Sequence, residues 1–349
     1  MWEAHGFRFL ITPYVLSLVK KGKNGCPMSG DPLWRQVFPT FAVGATSKVE
    51  VTSKVGPDEY TSVAENWEEK KEMLTPICQR KYENRAIIYV ADSCLGYCMY
   101  CFRSLQSRCE KEKHGGLRHW EQTLKEIKSR PQIEEVILSG GDPLVLPNKM
   151  IEDLLSDIRK IKTVRAIRIH TRAWTHNPFR IDRDFCALLK KYAVTEMGVH
   201  VIHPKEITDE FVEAAERIRK SGAKTMLLAD IPLVKGVNDD AAVLRDLFMG
   251  LYINGVKPYY LSHNMPNIPY ASAQRTSVKR GLALYYSLKR RISNPAMPEY
   301  IITHKSGKKT VPESPRESYD FKYAKNARGW PIIRFKDWRG KWQTYLDAK

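Results

Sequence analysis

Cys94, Cys98 and Cys101 crowd three thiols into eight residues of the stretch CLGYCMYCF. The chain holds only seven cysteines in 349 residues, and Cys26, Cys78, Cys109 and Cys186 are scattered. Three thiolates on one loop can ligate three irons of a 4Fe–4S cluster, which leaves the fourth iron open to a small molecule. Zinc would ask for a fourth Cys or His at its own spacing, and none lies nearby in the sequence. A second chemically suggestive stretch is SGGDP (139–143), where two glycines free the backbone for close approach and Asp142 offers a carboxylate. A third is the basic loop HKSGKKTVP, in which Lys308 and Lys309 stand side by side after Gly307.

Such groups work only where a fold holds them, and the surrounding pattern is regular. Short β-branched or apolar runs recur at 86–91, 135–141, 165–171, 193–202, 224–234 and 257–263. Amphipathic stretches such as LRHWEQTLKEIKSR, NKMIEDLLSDIRKIK and DEFVEAAERIRKSG separate them. Strands alternating with helices predict βαβ units and a parallel sheet. Six repeats fall short of a closed eight-fold barrel, so the expected fold is an α/β partial (β/α)6 barrel. The polar tails of these runs (DSCLGYC, SGGDP, HTR, HVIHP, KGVND) all fall at the C-terminal strand ends, where such folds carry chemistry.

Upstream, residues 1–80 read as an N-terminal helical cap. TPYVLSLV and SVAENWEEKKEMLTPI are its expected helices, with GCPMSGDPLWRQVFP as a Gly/Pro-punctuated loop between them. Residues 81–275 read as the barrel and 276–349 as a basic C-terminal segment. Of the net charge of +18, that end carries most: from Lys279 to Lys349 there are 17 Lys and Arg against 6 Asp and Glu. Such a face suits a polyanion, a phosphate-bearing cofactor, an acidic subunit or plain solvent. No apolar run reaches a membrane span of about 18 residues. The N-terminus, with Pro13 breaking its apolar stretch, lacks the layout of a signal peptide, so a cytoplasmic protein with reduced thiols is expected.

The CxxxCxxC spacing with Tyr100 before the last cysteine resembles the radical S-adenosylmethionine (SAM) superfamily, whose fold is a partial barrel. The resemblance implies that Cys94, Cys98 and Cys101 hold the cluster and that SAM chelates the open iron. It places Tyr100 near the adenine, and Gly140 and Gly141 against the methionyl group. Asp142 would then accept from the SAM ammonium.

Within that superfamily the chain is similar to the lysine 2,3-aminomutases. ITPYVLSLV, DPLWRQVFP, VILSGGDPL, RIHTR, HPKEIT, LVKGVND and PYYL follow in that family's order. Members use pyridoxal 5′-phosphate (PLP) beside the cluster. The resemblance implies Lys309 as the PLP lysine, with Lys308 as its alternative, and Arg85 and Lys81 as phosphate anchors. It assigns the substrate α-carboxylate to Arg103. Lysine-specific members grip the distant ammonium with two aspartates; the matching positions here are Met265 and Thr303, which cannot pair with an ammonium. The expected activity is therefore a PLP-dependent radical SAM aminomutase acting on an amino acid other than free L-lysine, with His304 and Lys305 favouring an acidic or polar side chain. Desaturation, deamination, epimerisation, or modification of a protein or RNA are the alternative outcomes. The expected partners are a small amino acid and a reductase, flavodoxin or ferredoxin, in a homo-oligomer without nucleic acid or membrane.

Overall fold

The computed structural model describes residues 9–38, 70–101, 116–266, 268, 271–312 and 320–348. Two short antiparallel strands, β1 (Met73–Thr75) and β2 (Cys78–Tyr82), lead into the main sheet. Seven parallel strands follow in chain order: β3 (Arg85–Ala91), β4 (Glu135–Gly140), β5 (Ala166–Thr171), β6 (Glu196–His200), β7 (Met226–Leu233), β8 (Lys257–His263) and β9 (Glu299–His304). The first six are the strands expected from the alternating pattern. The antiparallel β10 (Gly307–Thr310) closes the sheet against β9.

Helices α1 (Pro13–Leu18) and α2 (Pro32–Val37) precede the sheet. The connections carry α3 (Trp120–Lys128), α4 (Asn148–Arg159), the single turn α5 (Ala173–His176), α6 (Arg183–Lys191), α7 (Asp209–Lys220), α8 (Ala241–Ile253), the short α9 (Ala271–Gln274) and α10 (Val278–Leu288). Their starts are set locally. Asp182 accepts from the Phe185 N–H at 2.7 Å, Thr208 from Phe211, and Asp240 from Ala242 and Val243. Among the described residues no helix is long and apolar enough to cross a membrane.

Strand alternation sorts the two faces of the sheet. Val136 and Leu138, Ile167 and Ile169, Met197 and Val199, and Ala229 and Ile231 are sealed under the helices, against Phe185, Phe211 and Phe248. The alternate residues, Glu135, Arg168, His170, His200 and Asp230, keep some solvent access. The core is therefore the layer between strands and helices, and the inner face of the sheet borders a polar hollow.

The structure corrects three local expectations. The run 62–77 was expected to be helical; its described part holds a turn of 3-10 helix at Lys70–Glu72 and then β1, because Met73 and Thr75 pair with β2. The expected loop between the N-terminal helices contains α2, capped by Asp31, which accepts from the Leu33 and Trp34 N–H groups. The main sheet also overruns both expected boundaries, starting at β1 and continuing through β9 and β10. Among the described residues a small antiparallel sheet stands apart: β11 (Phe321–Lys325), β12 (Pro331–Lys336) and β13 (Trp342–Leu346). It is fastened to the barrel by Tyr345, whose hydroxyl lies 2.7 Å from His263 Nδ1, and by Arg275 Nη2 donating to the Leu346 carbonyl at 2.8 Å.

Phe248 is fully buried between α8 and the sheet. Phe248→Ala removes that side chain from a close-packed layer and should cost about 3–5 kcal/mol, read as a lowered midpoint in urea unfolding with an unchanged slope.

Candidate active site

Cys94, Cys98 and Cys101 are half-buried on the loop that leaves β3. The end of β4 sets the root of that loop. The Gly141 N–H donates to the Ala91 carbonyl at 2.6 Å and the Asp142 N–H to the Ser93 carbonyl at 2.8 Å. A Cβ on Gly140 would run into the Ala91 backbone, and one on Gly141 into the Ser93 backbone. Gly140 also has φ +123°, a left-handed conformation that penalises any side chain. In the structure, the close approach these glycines permit is between β4 and the thiol loop.

Asp142 is buried, and both its oxygens are occupied. Oδ1 accepts from the Leu144 N–H at 2.9 Å and the Thr171 hydroxyl at 2.7 Å; Oδ2 accepts from the Arg172 and Ala173 N–H groups at 2.7 and 2.8 Å. A carboxylate has about four lone-pair sites, and here all are taken. In this structure Asp142 spends its carboxylate within the protein, tying the end of β4 to the end of β5.

Tyr100 closes an apolar cluster with Ile202, Val234, Val237, Met265 and Ile268, and Cys98 packs beside them. The Arg172 guanidinium lies 5.4 Å from the Tyr100 ring centre. Arg172 also donates to Glu206 Oε1 at 2.9 Å, to His176 Nε2 at 2.8 Å and to the Gln36 side chain of α2. One side chain thus joins the thiol loop, two strand ends and the N-terminal helices.

The hollow carries a second set of groups. Arg168 bridges Glu135 Oε1 at 3.2 Å and Glu196 Oε1 at 2.7 Å, and its Nη2 lies 3.1 Å from His170 Nε2. His170 Nδ1 is 3.9 Å from Asp230 Oδ2. His200 is on the neighbouring strand, in register with Asp230. Burial pushes the His200 imidazole down to about 4, against the opposing pull of Asp230, so the ring is neutral at physiological pH.

Lys308 and Lys309 point to opposite faces of β10. Lys308 pairs in register with Thr303 and Lys309 with Ile302. The Lys309 ammonium pairs with the Asp320 carboxylate, outside the hollow. Lys308 is surrounded by protein yet reachable by solvent, with Nζ 4.0 Å from the Tyr260 ring centre. Its backbone N–H donates to the Tyr82 hydroxyl at 2.8 Å, and a Cβ on Gly307 would sit 2.7 Å from that same oxygen. Burial lowers the Lys308 ammonium below the usual lysine range; Arg168 and Arg85 add to the shift, while Asp230 and Glu196 oppose it. For Asp230, burial opposes ionisation, but Lys308, His170, His200 and Arg168 outweigh it and hold the carboxyl low. A lysine with a depressed pKa is a nucleophile for a carbonyl carbon. Of the two lysines, the one that faces the hollow is Lys308, and Lys309 faces Asp320.

The remaining expected residues divide. The Arg85 guanidinium lies 4.3 Å from the Tyr82 ring centre and acts electrostatically on Lys308. Lys81 pairs with Glu72 Oε2 at 2.8 Å and donates to the Lys305 carbonyl, bracing β2 against the β9–β10 turn. Thr303 shares the inner face with Lys308, whereas Met265 is buried in the Tyr100 cluster. His304 is buried, with its Nδ1 2.8 Å from the Ser306 hydroxyl and its ring against Phe335. Arg103 lies outside the described residues, as does Cys109. Sequence reasoning passed over Arg168, His170, Glu196, His200 and Asp230. The available signal was polar residues at every second position of strands otherwise apolar.

Two outcomes test this geometry. Asp142→Ala removes the acceptor of four hydrogen bonds and should cost at least about 3 kcal/mol, measured by urea unfolding. Asp230→Asn removes a group that raises the Lys308 pKa, so that pKa should fall further. Acylation of Lys308, followed by peptide mass spectrometry across pH, should then set in at lower pH than in the unaltered protein.

Known proteins match this chain over most of its length. The model of the radical SAM superfamily matches residues 88–247, which begin in β3 and end in α8. The glutamate 2,3-aminomutase of Clostridioides difficile is 30% identical over 96% of this chain and 72% of its own length. A putative L-lysine 2,3-aminomutase of Aquifex aeolicus is 33% identical over 93% of this chain and 80% of its own. The L-lysine 2,3-aminomutase of Clostridium subterminale is 27% identical over 92% and 73%. The thiol loop, the parallel barrel and these likenesses agree: the chain belongs to the 2,3-aminomutase family of the radical SAM superfamily.

Proposed function

We propose that this protein is a PLP-dependent radical SAM 2,3-aminomutase that acts on a small amino acid other than free L-lysine. The observation that carries the reading is Lys308, a lysine of lowered pKa in the hollow of a barrel whose strand ends hold three clustered thiols. The family implies a 4Fe–4S cluster and SAM. Cys94, Cys98 and Cys101 are the residues to hold the cluster, with the Tyr100 cluster as an apolar wall for the adenine. For PLP, Lys308 is the amine, and Arg85 and Arg168 are the cations available to a phosphate. Bound together, the groups supply a carbon radical that takes hydrogen from the substrate and a carbon–nitrogen double bond through which nitrogen can move between adjacent carbons.

The chain's own residues prepare that chemistry. Burial and the two arginines lower the Lys308 ammonium below the usual lysine range, and Tyr82 and Gly307 fix its strand. Neither Met265, inside an apolar cluster, nor Thr303 offers a carboxylate to a substrate ammonium, which supports a substrate other than free L-lysine. The cluster needs one electron at a time, which a flavodoxin or ferredoxin would deliver.

Reduction with borohydride after reconstitution with PLP should leave a pyridoxyl group on Lys308, located by peptide mass spectrometry. Lys309→Arg should keep the adduct and Lys308→Arg should lose it. An adduct on Lys309, or on neither lysine, would sink the PLP reading. Deuterium transfer from a panel of labelled amino acids into 5′-deoxyadenosine identifies the substrate.

A further inference from the structure

We propose that His170, His200 and Asp230 form a binding site for one divalent first-row transition ion, of the zinc or ferrous class, inside the barrel hollow. They stand on the consecutive strands β5, β6 and β7, and one ligand atom from each lies within 4.8 Å of the others. Two imidazoles and one carboxylate form a ligand set that such ions favour and that leaves coordination positions open. In a bound zinc site, neighbouring ligand atoms are about 3.3 Å apart, given metal–ligand bonds of about 2.0–2.1 Å. His170 Nδ1 and Asp230 Oδ2, at 3.9 Å, are close to that spacing, and side-chain rotation closes the rest.

Three further observations point to a ligand. Asp230 Oδ1 is buried without a hydrogen-bond partner among the described residues, an arrangement costly enough to call for one. His170 Nε2 is 3.4 Å from Glu196 Oε1, and when Nδ1 ligates the ion the Nε2–H turns to that carboxylate and gives up the Arg168 Nη2 contact at 3.1 Å. A carboxylate behind an imidazole orients it and raises its basicity toward a metal. Gly198 makes room for the ring, since a Cβ there would sit 2.9 Å from His170 Cδ2. The opposing group is Lys308, whose ammonium is attracted by the same Asp230 carboxylate. The ion and that ammonium are alternative partners for Asp230, so each weakens the other.

The site is independent of the PLP reading, because it uses neither cofactor nor turnover, and its test keeps the two apart. Full-length protein with Cys94, Cys98 and Cys101 replaced by Ala is titrated with Co2+ alone. One ion per chain should bind, with visible d–d bands and without the near-ultraviolet charge transfer of a thiolate ligand. His200→Gln and Asp230→Asn, checked for folding by circular dichroism, should each weaken binding at least tenfold. Lys308→Met should tighten it, because the competing ammonium is gone. Binding no stronger than in the His200→Gln variant, or weakened by Lys308→Met, overturns the site while leaving the borohydride result untouched.

Discussion

The structure depends on a parallel sheet that seals one face with helices and leaves the other facing a hollow. A closed eight-stranded barrel fills its interior with side-chain layers. Here the inner face instead carries Glu135, Arg168, His170, Glu196 and Asp230, joined by ion pairs and close contacts, with His200 in register beside Asp230. Arg168, paired with both Glu135 and Glu196, offsets part of the cost of placing these charges there. The apolar energy of folding comes from the outer layer, where Val136, Ile167, Met197 and Ile231 meet the helices. The interior is thereby left free for chemistry.

Placement of the reactive groups follows from that division. The thiol loop leaves β3 at the strand end, and the neighbouring β4 fixes it through backbone contacts that only glycine allows at 140 and 141. Asp142 then passes the constraint to β5 by accepting from four donors there and in its own turn. Arg172, the next residue of β5's exit, extends it to Tyr100, Glu206 and Gln36. Geometry at the thiols is thus transmitted through hydrogen bonds from the neighbouring strand ends.

At the opposite edge of the sheet, β9 and β10 deliver a lysine. The β-hairpin register decides which one, because neighbours on a strand face opposite ways. Lys308 turns inward with Thr303 and Lys309 turns outward to Asp320. Tyr82, reaching from β2, accepts the Lys308 backbone N–H and stacks under Arg85, so the antiparallel additions at both sheet edges converge on one position.

Much of this was legible in the sequence for local reasons. Cysteine spacing is a property of one loop, and the period of apolar residues reports strands and helices directly, so the thiol triad and six barrel strands needed no tertiary contact to be seen. The seventh strand, Glu299–His304, escaped because its apolar core, Tyr300 to Ile302, is short and lies beside a lysine-rich turn. Asp142 looked like a ligand group because a carboxylate after two glycines carries no mark of the donors that Thr171, Arg172 and Ala173 bring from another strand. The choice between Lys308 and Lys309 was likewise beyond reach, since only pairing with β9 fixes which face each residue takes. His170, His200 and Asp230 are separated by about thirty residues each in the chain, and only closure of the parallel sheet brings them together.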